Sequence, residues 1–481
     1  MNQAIFYRLS FISIITVMTG CAPLLDPVGP NHTPPSISVP SKWSVAKSKT
    51  TTDFVTTPTR NLAAWWRQFG DSQLNELINT ALANNLELKL AQVRLQQARI
   101  SREQAIAGTM PFVSMSSSLI QDKKSADISP MSDKTLYDLS FDAKWELDVF
   151  GGIQRGIEAA TADQEASEAN LNQTRVSLVA EVARNYVELK AYQRRLNIAR
   201  DNLASQAETL QLTEWRYQAG LTTNTDVQQA KANLAQTRAS IPDLEVAQAA
   251  AENRLAVLVG KNPGTLHVQL AQNIDLPALP SSIGTGIPAN VLQQRPDLVA
   301  AERKLAAETA RVGQKLAKRF PSLNLNASLS WQTYSFAALG SAQALARAIS
   351  GTLASTLFDG GQLKNAVAIQ TTVQEQALIS YQNSILTALE EVENALIAYA
   401  AGRERVEARQ AAVDAVRNAA QSSRDLYQAG LTDFQKVLDT ERNRLLAEDN
   451  LAVAEVGMRT NLIKLYKALG GGWEVTKNVT F

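Results

Sequence analysis

The sequence has little of what most enzymes and nucleic-acid-binding proteins rely on. It holds one cysteine and two histidines in 481 residues, which excludes an internal disulfide framework and a multi-histidine or thiolate-rich metal site. The 47 basic residues balance 46 acidic ones, so no basic field points to nucleic acid. Glycine and proline are scarce, and the long stretches rich in Ala, Gln, Leu, Arg and Glu predict a helix-rich protein without a catalytic role or a cofactor.

The first residues are expected to direct export. Residues 1–20 contain Arg8, an apolar run from Leu9 to Val17, and small residues before Cys21, a pattern too short for a lasting transmembrane helix. The segment resembles a bacterial lipoprotein signal, in which such a cysteine carries the lipid. A Pro/Ser/Thr-rich tether follows, and Ala22 resembles the signal for sorting to the outer membrane. The alternative is an ordinary cleaved signal with an accidental cysteine.

The remainder of the chain contains an internal duplication. The segment Trp215–Thr222 recurs as Asp425–Thr432, and the same offset of 210 residues pairs Pro111 with Pro321. We therefore expect two repeats, 72–260 and 288–470, joined by a Pro/Gly-rich connector, 261–287. Residues 21–71 precede them as tether and equatorial segment, and 471–481 form the C-terminal tail.

Each repeat is predicted to run helix, strand, strand, long helix, helix. Helical spacing over Leu74–Ala107 precedes a serine-rich run, Phe112–Ile120. Apolar and polar residues then alternate over Leu139–Val149, and again over Leu323–Trp331 in the second repeat. A fourth strand, about Leu345–Phe358, alternates less regularly.

Period-two alternation means that one face of the sheet is dry and the other wet. Half of a soluble sandwich is the alternative interpretation, but four strands between long helices leave no second sheet for packing. Four strands cannot close a barrel, and an open edge is not tolerated in lipid. Closure therefore requires several copies of the chain, and three copies would supply twelve strands.

Two uninterrupted helical segments, Gly152–Ala219 and Gly361–Ala429, contain no proline. Some 67 residues make a helix of about 100 Å. Gly220 and Gly430 are expected to end these helices, while Thr222 and Thr432 are placed to cap returning helices. In the first returning helix, Pro242 should cause a kink.

Paired glycines, Gly151-Gly152 and Gly360-Gly361, follow strands and open helices. Such a junction can bind phosphate, but neither pair is followed by the Lys-Ser/Thr ending of a nucleotide-binding loop. A tight turn at the end of a strand is the simpler prediction.

The order and spacing of several motifs resemble one family. They are Trp65-Trp66-x-x-Phe69-Gly70-Asp71, Trp145-Glu146-Leu147-Asp148-Val149-Phe150-Gly151, Arg295-Pro296-Asp297, Leu357-Phe358-Asp359-Gly360-Gly361 and Val437-Leu438-Asp439. Together with the duplication, they make the chain similar to TolC-like outer-membrane efflux channels, in the lipoprotein branch near NodT and OprM. The resemblance extends from Cys21 to Trp473.

The resemblance implies a mainly α fold with a small β part. Three copies would form a 12-stranded β-barrel in the outer membrane, continuous with a 12-helix α-barrel in the periplasm. A periplasmic adaptor and an inner-membrane transporter would complete the pathway, and outer-membrane lipid would surround the barrel and hold the anchor at Cys21. In this family the adaptor contacts the hairpin tips, here Gly220, Leu221 and Thr222, with Gly430, Leu431 and Thr432.

The resemblance also implies a periplasmic gate near the second hairpin tip. The acidic residue of the gate corresponds to Asp439, the tyrosine to Tyr427 and the basic residue to Arg442. Lys436 departs from the pattern, since some members have a second aspartate there. The alternative for Asp439 and Arg442 is a solvated i,i+3 pair on a helix surface.

These observations favour a passive exit duct for small toxic compounds or drugs in a tripartite efflux system. The exit duct of a type I protein-secretion system shares the architecture and is the first alternative. A periplasmic coiled-coil tether without a pore is the second, although it leaves the strands and the signal unexplained. An enzyme is the least favoured, because the long helices contain neither histidine nor cysteine.

Overall fold

A computed structural model describes residues 26–36, 39–44, 54–55, 62–122, 134–271, 275–280, 283–285 and 288–473. The predicted export signal and the predicted lipid anchor, Cys21, lie outside this range. The chain divides into two compact units, and each unit takes segments from both repeats. The first contains residues up to 35, 94–168 and 300–381, and the second contains 36–93, 169–299 and 382 onwards.

The first half of the chain contains the elements expected of one repeat. Strand β1 (Phe54–Val55) and a 3-10 helix (Leu62–Phe69) come first. They are followed by α1 (Ser72–Asn84), α2 (Leu86–Ala107), β2 (Phe112–Asp122), β3 (Lys134–Leu147), α3 (Gly152–Gln218) and α4 (Asn224–Leu258). The serine-rich run thus forms strand β2.

A short connection leads to the second set of elements. It contains α5 (His267–Leu270) and β4 (Ile283–Gly284), which pairs with β1 in parallel. The second set is α6 (Pro288–Gln294), α7 (Pro296–Ala317), β5 (Ser322–Thr333), β6 (Leu345–Ala354), α8 (Gln362–Gln428) and α9 (Phe434–Ala468). Helices α6 and α7 both begin at a proline, where the missing N–H costs no hydrogen bond.

The helix bounds confirm the offset of 210 residues. Helices α3 and α8 each have 67 residues, and they begin and end at positions 210 apart. The returning helices α4 and α9 each have 35 residues with the same offset. The two halves therefore fold as copies of one pattern.

The first unit contains a four-stranded antiparallel sheet in the order β2-β3-β5-β6. Phe112 lies opposite Lys144, and Leu147 opposite Leu323. In the third strand pair, β5 with β6, Ser322 lies opposite Ala354. Strands β2 and β6 are consequently the two edges of this sheet.

Alternation sorts the side chains of this sheet onto two different faces. On one face most side chains are apolar: Val113, Met115, Leu139, Phe141, Trp145, Leu323, Leu325, Leu329, Trp331, Ile349 and Leu353. The polar residues on this face are Arg347, opposite Leu329, and Ser117, Gln121, Thr135 and Thr333. The other face carries Ser114, Ser116, Ser140, Asp142, Lys144, Asn324, Asn326, Ser328 and Ser330. The predicted separation of apolar from polar side chains is therefore confirmed for most positions of the sheet.

Three local predictions are wrong. The first helix is broken at Asn85, whose buried side chain accepts from the Leu88 N–H at 2.9 Å and donates to the Leu258 carbonyl at 2.9 Å. Strand β6 ends at Ala354 rather than near Phe358. The helices that return from the tips are capped by Thr223 and Asp433, one residue later than expected. Pro242 lies inside α4, which continues through it.

An aromatic core stabilises the second unit. Trp65 is fully buried and stacks on Tyr466, with ring centroids 5.0 Å apart. The Tyr186 hydroxyl donates to Asp71 at 2.7 Å, and Asp71 also caps helix α1 by accepting from the Leu74 N–H at 2.9 Å. In the motif that runs from Trp65 to Asp71, the two tryptophans therefore pack in the core, and Asp71 caps a helix.

In the first unit, one buried arginine holds the segment that follows the predicted anchor. The Arg155 guanidinium donates to the carbonyls of Pro27, Val28 and Gly29 at 3.0, 3.1 and 3.2 Å, and to Asn31 Oδ1 at 2.8 Å. Because Arg155 is only 4% exposed, these carbonyls and the Glu158 carboxylate, at 2.7 Å, replace water as the partners of its charge. Residues 27–31 are thus held against the start of α3.

Candidate functional site

The two helical hairpins end in turns of the same geometry. Gly220 and Gly430 adopt φ values of +71° and +75°, which favour glycine. The next residue, Leu221 or Leu431, donates its N–H back to the carbonyl five positions earlier at 2.8 Å. This is the Schellman arrangement, which satisfies carbonyls that the helix end leaves free.

The residues after these glycines cap the returning helices. Thr223 accepts from the Asp226 N–H, and the Asp226 carboxylate in turn accepts from the Thr223 N–H at 3.1 Å. Thr222 adds a hydrogen bond to the same carboxylate at 2.6 Å. Although burial opposes the shift, these hydrogen bonds lower the pKa of Asp226. At the second tip, Asp433 accepts from the Lys436 N–H at 3.0 Å.

Both tips present a leucine to solvent. Leu221 is 64% exposed and Leu431 is 74% exposed. Burial of either leucine by a partner would remove apolar area from water. The residues predicted to contact an adaptor therefore lie at accessible turns.

Tyr427 lies in a small core at the second hairpin. It is 2% exposed and packs with Ala230, Phe434, Val437 and Leu438. Its ring centroid lies 5.8 Å from that of Phe434. The side chain therefore joins α8 to α9 and to the first returning helix, α4.

Arg216, near the end of α3, makes two contacts with Tyr427. Its guanidinium lies over the tyrosine ring at 4.6 Å from the centroid, and its Nη1 donates to the Tyr427 carbonyl at 2.8 Å. The first long helix is thereby connected to the end of the second. Sequence reasoning missed Arg216, since a contact 211 positions apart in the chain carries no local signal.

The other predicted gate residues lie on the exposed side of α9. Asp439 accepts from Gln435 at 2.9 Å, while Arg442 donates to the buried Asn233 of α4 at 3.1 Å. No ion pair joins Asp439 to Arg442 among the residues that the structure describes. The i,i+3 alternative is therefore absent within one chain, and the Asp439 carboxylate and the Lys436 side chain both face solvent.

Two buried carboxylates further along α9 were also missed. The Glu441 carboxylate accepts from Thr209 at 2.6 Å, and burial raises its pKa. Glu448 accepts from Asn202 at 3.0 Å and Arg417 at 2.7 Å. Burial opposes the shift, but these partners lower the pKa of Glu448. Polar residues thus connect α9 with both long helices.

The described residues contain no cluster of three or more His, Cys, Asp or Glu side chains able to hold a metal ion. In the same part of the chain, no helix is long and apolar enough to cross a membrane.

A family model described as "Outer membrane efflux protein" matches residues 77–261 and 287–471. These two matches cover well over half of the chain. The chain belongs to the outer membrane efflux protein family. It is accordingly a protein of the outer membrane, and the resemblance stated from the motifs is confirmed.

Several family members are similar over nearly the full length. Nodulation protein T of Rhizobium leguminosarum bv. viciae is 29% identical over 98% of this chain and 95% of its own. Cation efflux system protein CusC of Escherichia coli O6:H1 is 27% identical, over 96% and 98% respectively. The solved structure of the outer-membrane channel OprN shares 36% identity with a TM-score of 0.86, over 93% of this chain and 99% of that one.

Proposed function

We propose that three copies of this chain form a passive exit duct of a tripartite efflux system in the outer membrane. The observation that carries the proposal is the sheet, with one apolar exposed face, one polar face and two open edges. Three such sheets would close into twelve strands with no free edge, as a bilayer requires. Solutes would then pass along the hydroxyls, amides and charges of the polar face.

We propose further that Cys21 carries the lipid after removal of residues 1–20. Pro27, which Arg155 holds, is six residues further on, so the anchor would lie within about 20 Å of that contact. The tether and equatorial segment would then occupy 21–71. The repeats would span 72–260 and 288–470, with 261–287 as connector and 471–481 as tail.

The gate is proposed at the second hairpin. Threefold symmetry would bring together three copies of Asp439. Their negative charges would repel one another and attract cations into the closed end. Lys436 lies one turn before and faces solvent, so it could pair with Asp439 of a neighbouring copy. Tyr427 would position α9 through the small core at the second hairpin, and Arg442 would position it through its hydrogen bond to Asn233 of α4.

Adaptor binding is proposed at the two tips. Gly220-Leu221-Thr222 and Gly430-Leu431-Thr432 have the same turn geometry, so three copies would present six similar tips. The exposed leucines would supply the apolar contacts. Energy would come from the inner-membrane transporter, and the duct itself would perform no chemistry.

The proposed cargo is a small toxic compound or drug. Relatives are named for the export of different substances, including a pyoverdine export protein and a cation efflux protein. Six methionines and two histidines offer little for a thioether- or imidazole-lined metal route. A type I protein-secretion duct is the alternative.

Purified full-length protein in planar bilayers tests the proposal. We expect trimers that are extracted only by detergent and that conduct ions. A water-soluble monomer without conductance would contradict it. Deletion of the gene, followed by susceptibility tests with a panel of toxic compounds, would distinguish a drug duct from a secretion duct. Only loss of a drug duct should make the cell sensitive to many of these compounds.

A further inference from the structure

One arginine interrupts the apolar face of the four-stranded sheet. Arg347 of β6 is exposed and lies opposite Leu329 of β5. Its neighbours on the same face of β6 are Leu345 and Ile349, one on each side along the strand. Among the residues that the structure describes, no carboxylate lies within ion-pair distance of its guanidinium. This part of the face therefore carries a positive charge without a counter-charge from the described chain.

Arg347 lies near the outer end of the sheet in the proposed duct. Ser322 pairs with Ala354 at the end of the sheet that leads to helices α7 and α8, and Trp331 pairs with Leu345 at the opposite end. Since the long helices are proposed to extend into the periplasm, the Trp331 end faces the exterior. Arg347 is two residues inside that end, roughly 7 Å along the strand. A long side chain at this depth can keep its charge near the lipid headgroups.

Aromatic side chains mark the level of those headgroups. Tyr137 of β3 packs edge-on against Phe336, with ring centroids 5.5 Å apart. Phe336 and Tyr334, which follow β5, are 70% and 64% exposed. Exposed aromatic rings at the end of a membrane strand are typical of the level where acyl chains meet headgroups. These rings lie on the outer side of Arg347, so its strand position is on the acyl-chain side of that level.

A hollow of about 610 Å³ lies on the same face beside Arg347. Its lining is apolar apart from Ser328 and Arg347. Two of the lining residues, Ala143 and Ala327, lie opposite each other one row further from the outer end than Arg347, and their small side chains leave the space open. An apolar hollow with a single cation at its outer side matches the layout of a lipid, which has a hydrocarbon chain below a charged headgroup.

We propose that Arg347 and this hollow bind one phosphate-bearing lipid of the outer leaflet. The guanidinium donates to two phosphate oxygens, an arrangement that its planar fork favours, and an acyl chain fills the hollow over Ala143 and Ala327. An arginine among apolar side chains is unfavourable in lipid unless an anion accompanies it, and the lipid phosphate is that anion. This proposal rests on the proposed function, because only insertion of the duct into a membrane brings lipid to this face.

Native mass spectrometry of the full-length protein in dodecyl maltoside, a detergent without phosphate, tests the site. The probe is diphosphoryl lipid A, and we expect one bound lipid per chain. Arg347→Leu should weaken binding by about tenfold or more, since a hydrogen bond to a charged group has an effect of that order. Ala327→Phe fills the hollow but keeps the charge, and it should weaken binding as well. The matched control is Arg238→Leu, which removes an exposed arginine of α4 outside the sheet and should bind the lipid as the wild type does.

Two further arms separate a lipid phosphate from free phosphate. Lipid A without its phosphates should bind weakly, and alike to the wild type and to Arg347→Leu. Inorganic phosphate should not displace the intact lipid, because it has no acyl chain for the hollow.

Three results overturn the inference while the duct stands. They are unchanged binding in Arg347→Leu or in Ala327→Phe, equal binding of the lipid with and without phosphates, and displacement by inorganic phosphate. Size and conductance are measured on the same preparations. If the protein is a monomer without conductance, the duct proposal fails and the lipid site fails with it.

Discussion

The contact between Arg216 and Tyr427 gives the most specific prediction about the proposed gate. It joins the first long helix to the second hairpin, so its loss should let the hairpins separate more readily. Arg216→Met keeps the aliphatic stem but removes the guanidinium that covers the ring at 4.6 Å and donates to the carbonyl at 2.8 Å. Arg216→Lys keeps the charge without the planar fork and should have an intermediate effect.

The size of the effect follows from these two contacts. A cation–π contact contributes about 0.5–2 kcal/mol, and a hydrogen bond from a charged donor about 1.5–3 kcal/mol. Since Arg216 is half-buried, solvent screens both contacts, and we take about 2 kcal/mol for the pair. Because 1.4 kcal/mol is tenfold, the open population should rise by roughly 30-fold.

Single-channel recording in planar bilayers measures this population directly. We expect the time spent in the open state to rise in the order wild type, Arg216→Lys, Arg216→Met. Arg238→Met on α4 is the matched control, because Arg238 is also an arginine near the hairpin but is exposed. If Arg216→Met and Arg238→Met conduct alike, the contact with Tyr427 does not hold the closed state.

Three further predictions concern the proposed gate, the buried carboxylate of Glu441 and the proposed lipid anchor. Asp439→Ala should raise trimer conductance or reduce cation preference, whereas Asp414→Ala, an exposed change on α8, should leave both unaltered; equal currents in both variants would remove Asp439 from the gate. Burial raises the pKa of Glu441, so the folded chain binds that proton more tightly than the unfolded chain does, and the free energy of unfolding should fall as pH rises through the raised pKa. Glu441→Gln should flatten this dependence in thermal unfolding measured across pH, and an unchanged slope would contradict it. Cys21→Ser should abolish labelling by radioactive palmitate while the protein stays in the outer-membrane fraction; persistent labelling would place the lipid elsewhere.

Periodicity predicted most of the architecture because it acts locally. The alternation over Leu139–Val149 already sorts dry from wet side chains, and the absence of proline over 67 residues already allows a long helix. The offset of 210 residues follows from the identical residues that begin at Tyr217 and at Tyr427. By contrast, the helix break at Asn85 depends on the Leu258 carbonyl, which lies 173 positions away.

The sequence by itself determined the two repeats, the strand faces, the long helices and the family, since each follows from spacing between near neighbours or from motif order. Only the tertiary structure decided which side chains meet across the helices: Arg216 with Tyr427, Thr209 with Glu441, and Arg442 with Asn233 rather than Asp439. The physical reason is that these contacts depend on how helices distant in the chain are rotated and aligned. Helical periodicity determines which residues share a face, but it does not determine which residue of another helix that face meets.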